Sequence, residues 1–424
     1  MDSWRWMFDA CRVPGLGGKD FRTVVFIRKN KFWKVDASVD HRLLSTAEWE
    51  RQIQHIYDNS MTEYPPVGIL TSNNRDTWAK DYDLLSASER NKRILNEIES
   101  SAFVVCLDSE KPETDGGELG NRWVDKPVQF IVWDNAKAGI MGEHSVMDGT
   151  PTAVMSGSVV AAIKKQDFDH GSPSISANLS FPQSLDFEVD TEIDASITIA
   201  TNAARVLINS HILSFLRTSY GKRQIKVFGF SPDTCIPSAH RWPGKLNGGT
   251  YEAATTRKFQ HGRTETIRVV SEESVKWCES IDSGSVDREE VKALFKEACH
   301  AHRACAREAG NAQGVDRVIF GMQQMRRPGE EVPELFTDNL FQRSKHWVLS
   351  TSAIYNPNFR VYGWGEVVPD GFGVAYVAGF DEFLQFTVTS RKDMPNHRFT
   401  EEIDRAAEDL RALFQDEGIA TSKL

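Results

Sequence analysis

The stretch Val128-Gln-Phe-Ile-Val-Trp133, followed by Gly139-Ile-Met-Gly142, gives the first indication of the fold. Its β-branched and aromatic residues, bounded by Pro and Asp, are typical of a buried strand. Two similar runs, Thr23-Val-Val-Phe-Ile27 and Phe103-Val-Val-Cys-Leu107, precede it, and a polar helical stretch from Ala87 to Glu99 lies between them. Strands that alternate with helices predict a mixed α/β architecture.

The second half of the chain repeats this mixture. Asp287, with a glutamate three residues later, predicts the start of a helix that ends near Gly310. Apolar residues at helical spacing predict another helix from near Thr400. Strand candidates lie at residues 362–376 and 383–388. We therefore expect a second α/β layer that faces the first.

A loop-like segment separates the two halves. Residues 168–184 are rich in Ser, Pro, Asp and Gly, which favour turns and linkers. We place a domain boundary near Phe187, which gives an N-terminal domain of residues 1–187 and a C-terminal domain of residues 188–424.

Composition excludes several classes of protein. Among 424 residues, 60 are acidic and 50 are basic, and the resulting net charge of −10 argues against a general nucleic-acid-binding surface. No apolar run approaches the roughly 18–20 residues of a membrane span, and the start Met-Asp-Ser-Trp-Arg-Trp does not resemble a secretory signal. The six cysteines form no CxxC pair. We therefore expect reduced, intracellular thiols and no metal site.

The segment Gly139-Ile-Met-Gly-Glu-His144-Ser-Val-Met-Asp148-Gly149-Thr-Pro151 is the most informative for function. A histidine at a strand end can project into a cleft, where its near-neutral pKa suits proton transfer. Asp148, four residues on, is placed to orient the ring or a nearby cation. Taken alone, the segment fits a hydrogen-bonded structural histidine better than a catalytic one.

Further blocks change that interpretation. In chain order they are Cys11-Arg-Val-Pro-Gly15, Pro66-Val-Gly-Ile-Leu-Thr-Ser-Asn73, Gly120-Asn-Arg-Trp-Val-Asp-Lys126, Thr250-Tyr-Glu252, Gly262-Arg-Thr-Glu-Thr-Ile-Arg268, Ser350-Thr-Ser352 and Val368-Pro-Asp-Gly-Phe-Gly-Val-Ala-Tyr376. With the histidine segment, they make nearly the whole chain resemble the choline/carnitine acyltransferase family, most closely its carnitine acetyltransferases.

The resemblance implies two similar CoA-dependent-acyltransferase-type domains, with mixed sheets flanked by helices and an active-site tunnel between them. It also implies reversible acetyl or short-acyl transfer between coenzyme A and the hydroxyl of carnitine. His144 would be the general base, and the Ser352 hydroxyl would donate to the oxyanion. Both substrates supply their own nucleophile, so coenzyme A is a substrate and no bound cofactor is expected.

The resemblance assigns carnitine binding to Tyr251, Thr264 and Arg317. Arginine offers a permanent charge and planar donors for a carboxylate, which choline lacks, so these residues favour carnitine. The alternative is that Arg317 pairs with a structural acid, such as Asp148. Ser350 and Thr351 are expected to support Ser352, whereas without the flanking match the triplet would be interpreted as a polar strand edge.

Four residues match the family's coenzyme A positions, namely Lys222, Lys226, Asp233 and Arg303. Lysines four residues apart can converge on one phosphate as point charges. The alternative is a solvated basic loop, which is the commoner arrangement for such a cluster.

Several departures from the family pattern keep other functions open. The Cys-Arg-Val-Pro-Gly block begins at residue 11, so we expect an N-terminally shortened relative, and residues 234–249 contain prolines and glycines where the family has a helix. Ala253 and Ala353 replace a usual Ser and Gln. The chain is therefore also compatible with a weakly active or inactive relative, or with a transferase for choline or medium-chain acyl groups.

Acyl-chain length and location complete the expectations. In the acyl-region segment Val361-Tyr-Gly-Trp-Gly-Glu366, Tyr362 and Trp364 alternate with glycines and do not decide the length, so acetyl or short acyl rests on the overall likeness. Ser422-Lys423-Leu424 at a free C-terminus is a peroxisomal address read by an import receptor, unless it arises by chance. A longer N-terminus would allow a mitochondrial form.

Overall fold

The chain divides into two compact units, Met1–Asn209 and Ser210–Leu424. A computed structural model describes residues 22–111, 119–230, 249–284, 286–359 and 361–415. The Cys11–Gly15 block, Asp233, residues 234–248 and the Ser422–Leu424 tripeptide lie outside the described residues.

The division falls later in the chain than the expected boundary at Phe187. The ring of Phe187 lies 5.5 Å from Phe32 and 6.2 Å from Trp123, between ring centroids, and so belongs to the core of the first unit. The helix that follows it also buries Ile193 and Ile197 in that core. The linker-like segment therefore ends inside the first unit.

The strands of the first unit are β1 (Thr23–Arg28), β2 (Lys31–Asp36), β3 (Ser38–Val39), β4 (Arg42–Leu43), β5 (Val104–Asp108), β6 (Val128–Trp133), β7 (Ala138–Gly142) and β8 (Gln183–Leu185). One sheet has the order β7-β6-β5-β1-β2-β8, and β3 pairs with β4. The three runs predicted as strands from the sequence become β1, β5 and β6, which confirms them.

The helices of the first unit are α1 (Thr46–Asp58), α2 (Arg75–Ser86), α3 (Glu89–Ser100), α4 (Gly149–Ile163) and α5 (Thr191–Ser210). They pack on both faces of the sheet. Val25 and Ile27 of β1 face one apolar cluster, whereas Val24 and Phe26 face another. Because both faces are covered, β1 is apolar from Val24 to Ile27 instead of alternating.

The strands of the second unit are β9 (His211–Arg217), β10 (Thr250–Thr255), β11 (Thr264–Arg268), β12 (Leu349–Ala353), β13 (Phe372–Val377) and β14 (Gln385–Arg391), in the sheet order β11-β10-β12-β13-β14-β9. From β11 to β9 the pairings are antiparallel, parallel, parallel, antiparallel and antiparallel. From β7 to β8 the first unit has the same succession. Two similar domains with mixed sheets are therefore confirmed, although the chain visits equivalent strands in a different order.

The helices of the second unit are α6 (Lys222–Val227), α7 (Glu272–Ser283), α8 (Arg288–Gly310), α9 (Asp316–Gln324), α10 (Asn339–Ser344) and α11 (Asn396–Phe414). The Asp287 side chain caps α8 by accepting from the backbone N–H of Glu289, and α8 ends at Gly310, as predicted. Helix α11 begins four residues before the predicted Thr400. No helix in the described parts of the chain has both the length and the apolar character needed to cross a membrane.

One face of the second sheet carries the apolar core of its unit. Val374 and Tyr376 of β13 pack there with Phe295 of α8 and with Phe399 and Leu410 of α11. Side chains alternate along a strand, so Gly373 and Ala375 belong to the opposite face. That opposite face carries most of the polar residues discussed below.

Candidate active site

His144 is the second residue after β7, in the turn that leads into α4. Its Nδ1 lies 2.8 Å from the carbonyl oxygen of Met147 and 3.7 Å from a carboxylate oxygen of Asp148. A carbonyl only accepts, so in the neutral ring Nδ1 carries the hydrogen and Nε2 is the acceptor. The side chain is 74% exposed. The turn thus selects the tautomer in which Nε2 can take a proton.

The Nδ1 atom of His144 lies near two groups of the turn, the Met147 carbonyl and the Asp148 carboxylate. The Met147 carbonyl is the closer partner of Nδ1, and Asp148 occupies the N-cap position of α4. The Met147 side chain is buried. The backbone of the turn therefore supplies the hydrogen-bond acceptor for Nδ1.

Tyr251, Thr264 and Arg317 come together in the second unit. The Arg317 guanidinium donates from Nη2 to the Tyr251 hydroxyl and to the Thr264 hydroxyl, each at 3.2 Å, and from Nε to the Thr264 carbonyl at 3.2 Å. The backbone N–H of Arg317 donates to Glu265 at 3.3 Å. These contacts join α9 to β10 and β11. The guanidinium is therefore held in place beside two hydroxyl groups.

Arg268 fixes the start of α9 on the same side. Its guanidinium binds the Asp316 carboxylate through Nη2 at 2.6 Å and through Nε at 3.0 Å. Arg268 pairs with Tyr251 in the β10–β11 register, and Asp316 immediately precedes Arg317. This two-point ion pair therefore anchors the helix end that carries Arg317.

The Ser350-Thr351-Ser352 triplet lies on β12, between β10 and β13. In the register Tyr251 is opposite Ser350 and Glu252 is opposite Thr351. Ser350 and Ser352 therefore share a sheet face with Tyr251, and Thr351 belongs to the other face. The Thr351 hydroxyl donates to the Tyr251 carbonyl at 3.1 Å. Thr351 thus supports the strand, while Ser352 lies on the sheet face of Tyr251, the residue that contacts Arg317.

The residues after Phe359 do not form the predicted strand until Phe372. The segment instead passes over the polar face of the sheet, since a Cβ at Gly373 would meet the Gly365 carbonyl oxygen at 2.5 Å. The Tyr362 phenol shares a hydrogen bond with the Ser352 hydroxyl, and burial raises the pKa of Tyr362 above its ordinary value. Tyr362 therefore contacts Ser352 directly, and the sequence did not indicate this contact.

The basic residues assigned to coenzyme A have protein partners of their own. Lys222, at the start of α6, donates to the Gly379 carbonyl at 2.9 Å and pairs with Asp381 at 3.0 Å. The hydrogen bond and the charge of Lys222 hold the pKa of Asp381 below its usual range. Lys226 lies one turn further along α6 and is exposed, as is Arg303 on α8. A phosphate at Lys222 would therefore compete with Asp381 for the same ammonium group.

A buried polar group connects the core face of β10 with α8 and β13. The Glu252 carboxylate accepts a hydrogen bond from the Tyr376 hydroxyl and lies 3.4 Å from Nε2 of His302. All three side chains are buried. Sequence analysis missed this group, although Glu252 and Tyr376 stand in quoted blocks, because no local spacing joins them.

Comparison with known proteins identifies relatives along more than nine-tenths of the chain. The family model described as choline/carnitine O-acyltransferase matches residues 1–405. The chain is 30% identical over 455 residues to carnitine O-acetyltransferase of Columba livia, which covers 98% of this chain and 72% of the relative. It is 31% identical over 427 residues to mitochondrial carnitine O-acetyltransferase of Saccharomyces cerevisiae, with 92% and 63% covered.

A third relative differs in acyl chain and location. Peroxisomal carnitine O-octanoyltransferase of Bos taurus is 29% identical over 423 residues, which covers 91% of this chain and 69% of the relative. Relatives that are named for mitochondria and for peroxisomes are thus both found. This chain spans between 63% and 72% of the length of these three proteins.

Proposed function

The chain belongs to the choline/carnitine O-acyltransferase family, and we propose that it transfers an acetyl or short acyl group reversibly between coenzyme A and the hydroxyl of carnitine. The observation that supports this most is the contact of Arg317 with Tyr251 and Thr264. A fixed guanidinium between two hydroxyl groups suits a carboxylate, which carnitine has and choline lacks.

His144 is the proposed general base. In the forward reaction its Nε2 takes the proton of the carnitine hydroxyl while that oxygen attacks the thioester carbonyl carbon. The tetrahedral intermediate then collapses, the carbon–sulfur bond breaks, and the thiolate takes the proton back from the imidazolium. The products are acylcarnitine and free coenzyme A, and the imidazole returns to its starting form. The contact of Nδ1 with the Met147 carbonyl supports this role.

Ser352 is the proposed donor to the oxyanion. Its hydroxyl lies on the sheet face of Tyr251 and is hydrogen-bonded to Tyr362 in this structure. On substrate binding the hydroxyl would turn toward the thioester oxygen, where negative charge develops. Carnitine's own trimethylammonium group would add a second favourable charge.

Coenzyme A is proposed as a substrate, with its phosphates at Lys222, Lys226 and Arg303, and no prosthetic group enters the proposal. Lysines at positions i and i+4 of α6 lie on one face of the helix, which supports a shared anion. Binding would exchange the Lys222–Asp381 pair for a Lys222–phosphate pair. The role of Asp233 rests on the family resemblance alone.

Tyr362 supports a short acyl chain. Its ring stands at Ser352, and its centroid lies 5.3 Å from that of Trp364. Two aromatic rings beside the oxyanion donor leave less room for a long chain than glycines at the same positions would.

The test is release of free thiol from acetyl-CoA by the full chain, with carnitine, choline or water as acceptor, and mass-spectrometric detection of acetylcarnitine. The proposal predicts thiol release that depends on carnitine and yields acetylcarnitine. Release with choline alone would support a choline transferase. No release with any acyl-CoA from acetyl to octanoyl, by folded protein, would support the inactive relative.

We also propose a peroxisomal location, on the condition that Ser422-Lys423-Leu424 ends the natural chain. A fluorescent protein fused before this chain should enter peroxisomes, and deletion of the tripeptide should leave it outside. Accumulation in mitochondria, or an unchanged pattern after the deletion, would contradict this location.

A further inference from the structure

The turn that carries His144 is held from both sides by one arginine. Nη2 of Arg75 lies 3.1 Å from a carboxylate oxygen of Glu143 and donates to the Ser145 hydroxyl at 3.3 Å. Glu143 also accepts from the backbone N–H of Ser145 at 2.9 Å and from its hydroxyl at 2.7 Å. The residues before and after His144 are thus tied to each other and to Arg75.

Arg75 is itself fixed to the core of the first unit. Its Nη1 donates to Asp125, whose other carboxylate oxygen accepts from the indole N–H of Trp78 at 2.8 Å. Trp78 is buried and packs edge-on against Trp123, with ring centroids 5.6 Å apart. A continuous path of charge-assisted hydrogen bonds therefore connects the His144 turn to the tryptophan core.

The backbone of this turn controls the chemistry of the ring. The Met147 carbonyl accepts from Nδ1 of His144, so a shift of the turn moves the group that selects the tautomer. Arg75, Glu143 and Ser145 determine where the turn lies, although Arg75 does not contact the reacting atoms in the proposed mechanism.

We propose that Arg75 is a positioning residue, which holds the turn of residues 143–147 so that His144 keeps its hydrogen on Nδ1 and presents Nε2 as the base. The inference rests on the proposed function for its catalytic consequence, whereas its effect on the ring can be measured without activity.

A merely structural role for Arg75 makes a different prediction. The Arg75 side chain is 55% exposed, and ion pairs at this exposure contribute little net stability. A structural arginine would therefore change neither stability nor rate by much when replaced. A positioning arginine lowers kcat while leaving the affinity for both substrates unchanged, because the carnitine and coenzyme A residues lie in the second unit.

The experiment compares wild type with Arg75→Gln. We expect kcat for acetylcarnitine formation to fall roughly 10- to 100-fold, the scale of a small displacement of a catalytic group. The KM values for acetyl-CoA and carnitine should change less than about twofold, because the mutation removes no substrate contact. Guanidinium ions added to Arg75→Ala should restore part of kcat.

The matched control is Arg42→Gln in the same unit. Arg42 binds Glu48 through both nitrogens, at 2.7 Å and 2.8 Å, and the Glu48 side chain is fully buried. Loss of Arg42 leaves a buried carboxylate without its cation, so the thermal midpoint should fall while kcat stays unchanged. Arg75→Gln should show the reverse.

The second readout is the ¹⁵N NMR spectrum of the His144 ring, assigned by comparison with His144→Ala. Wild type should show protonated Nδ1, and Arg75→Gln should shift toward a mixture of tautomers.

If wild type releases no thiol, the proposed function fails and this spectrum still tests Arg75. Unchanged ring shifts, or an unchanged kcat in an active protein, would overturn the inference. If Arg75→Gln does not fold, Arg75→Lys replaces it, because lysine keeps the charge but lacks the two separate nitrogens that bind Asp125 and Glu143.

Discussion

Arg317→Asn should raise the KM for carnitine by about 10- to 150-fold, because it removes the positive charge proposed to bind the carnitine carboxylate. In the guanidinium group, Nε donates to Thr264, and Nη2 donates to Thr264 and Tyr251. Within the described residues, Nη1 of Arg317 has no hydrogen bond, so it is the donor left for a carboxylate oxygen. Asparagine is too short to replace it.

The magnitude follows from that single missing donor. A hydrogen bond to a charged group contributes about 1.5–3 kcal/mol, and each 1.36 kcal/mol corresponds to about tenfold in an equilibrium constant. The side chain is partly open to solvent, which places the expected effect toward the lower end of this range. Tyr251 and Thr264 also lose their common partner, which adds to the loss.

The assay is initial-rate thiol release at saturating acetyl-CoA with carnitine varied, for wild type, Arg317→Asn and Thr264→Val. The valine keeps the shape of Thr264 and removes its hydroxyl, so it should raise the carnitine KM less than Arg317→Asn does. The KM for acetyl-CoA should stay within about twofold, because no coenzyme A contact is removed. An unchanged carnitine KM in folded Arg317→Asn would refute the carboxylate role.

Three further substitutions test other parts of the account. Tyr362→Gly should raise the ratio of hexanoyl-CoA to acetyl-CoA turnover by at least about tenfold, as expected when a hydrophobic site gains space, and an unchanged ratio would contradict the acyl-site role. Glu252→Gln weakens the contact with buried His302 and should lower the free energy of unfolding by about 1–3 kcal/mol, measured by urea denaturation; an unchanged midpoint would contradict this. Hydrogen bonding from Arg42 holds the pKa of Glu48 below its usual range, so the carboxylate stabilises the fold above the unfolded pKa of about 4.3 and this contribution is lost as the pH falls. Glu48→Gln should therefore lower the thermal midpoint at pH 7 and flatten its decline in acid, and a parallel decline would contradict the assignment.

Local patterns in the sequence correctly predicted the central strands of the first sheet and the ends of helix α8. The runs that became β1, β5 and β6 lie in the middle of a sheet with apolar clusters on its faces, so nearly every residue in them is apolar. The Asp cap and the terminal Gly of α8 act within the helix itself, and both were found where the sequence placed them.

Contacts between distant residues explain what the sequence did not indicate. Helix α11 starts at Asn396 because that buried side chain bonds with Ser214 and Ser390, which no local spacing shows. Residues 362–376 were a strand candidate, but the part before Phe372 lies against the sheet face, where Gly373 has no side chain to meet the Gly365 carbonyl.

The candidate site was found by resemblance more than by local pattern. Tyr251, Thr264 and Arg317 are far apart in the chain, and only the family blocks indicated that they would meet. Tertiary packing brings Lys222 to Asp381, and it brings Arg75 to Glu143 in the turn that carries His144. Neither could be derived from spacing.

The most direct measurement is the rate of acetylcarnitine formation by His144→Ala relative to wild type, with the thermal midpoints of both proteins recorded. Loss of a general base should lower the rate by about 10²- to 10⁴-fold, and the midpoint should change little because the ring is largely exposed. A folded His144→Ala protein that forms acetylcarnitine at nearly the wild-type rate would contradict the account.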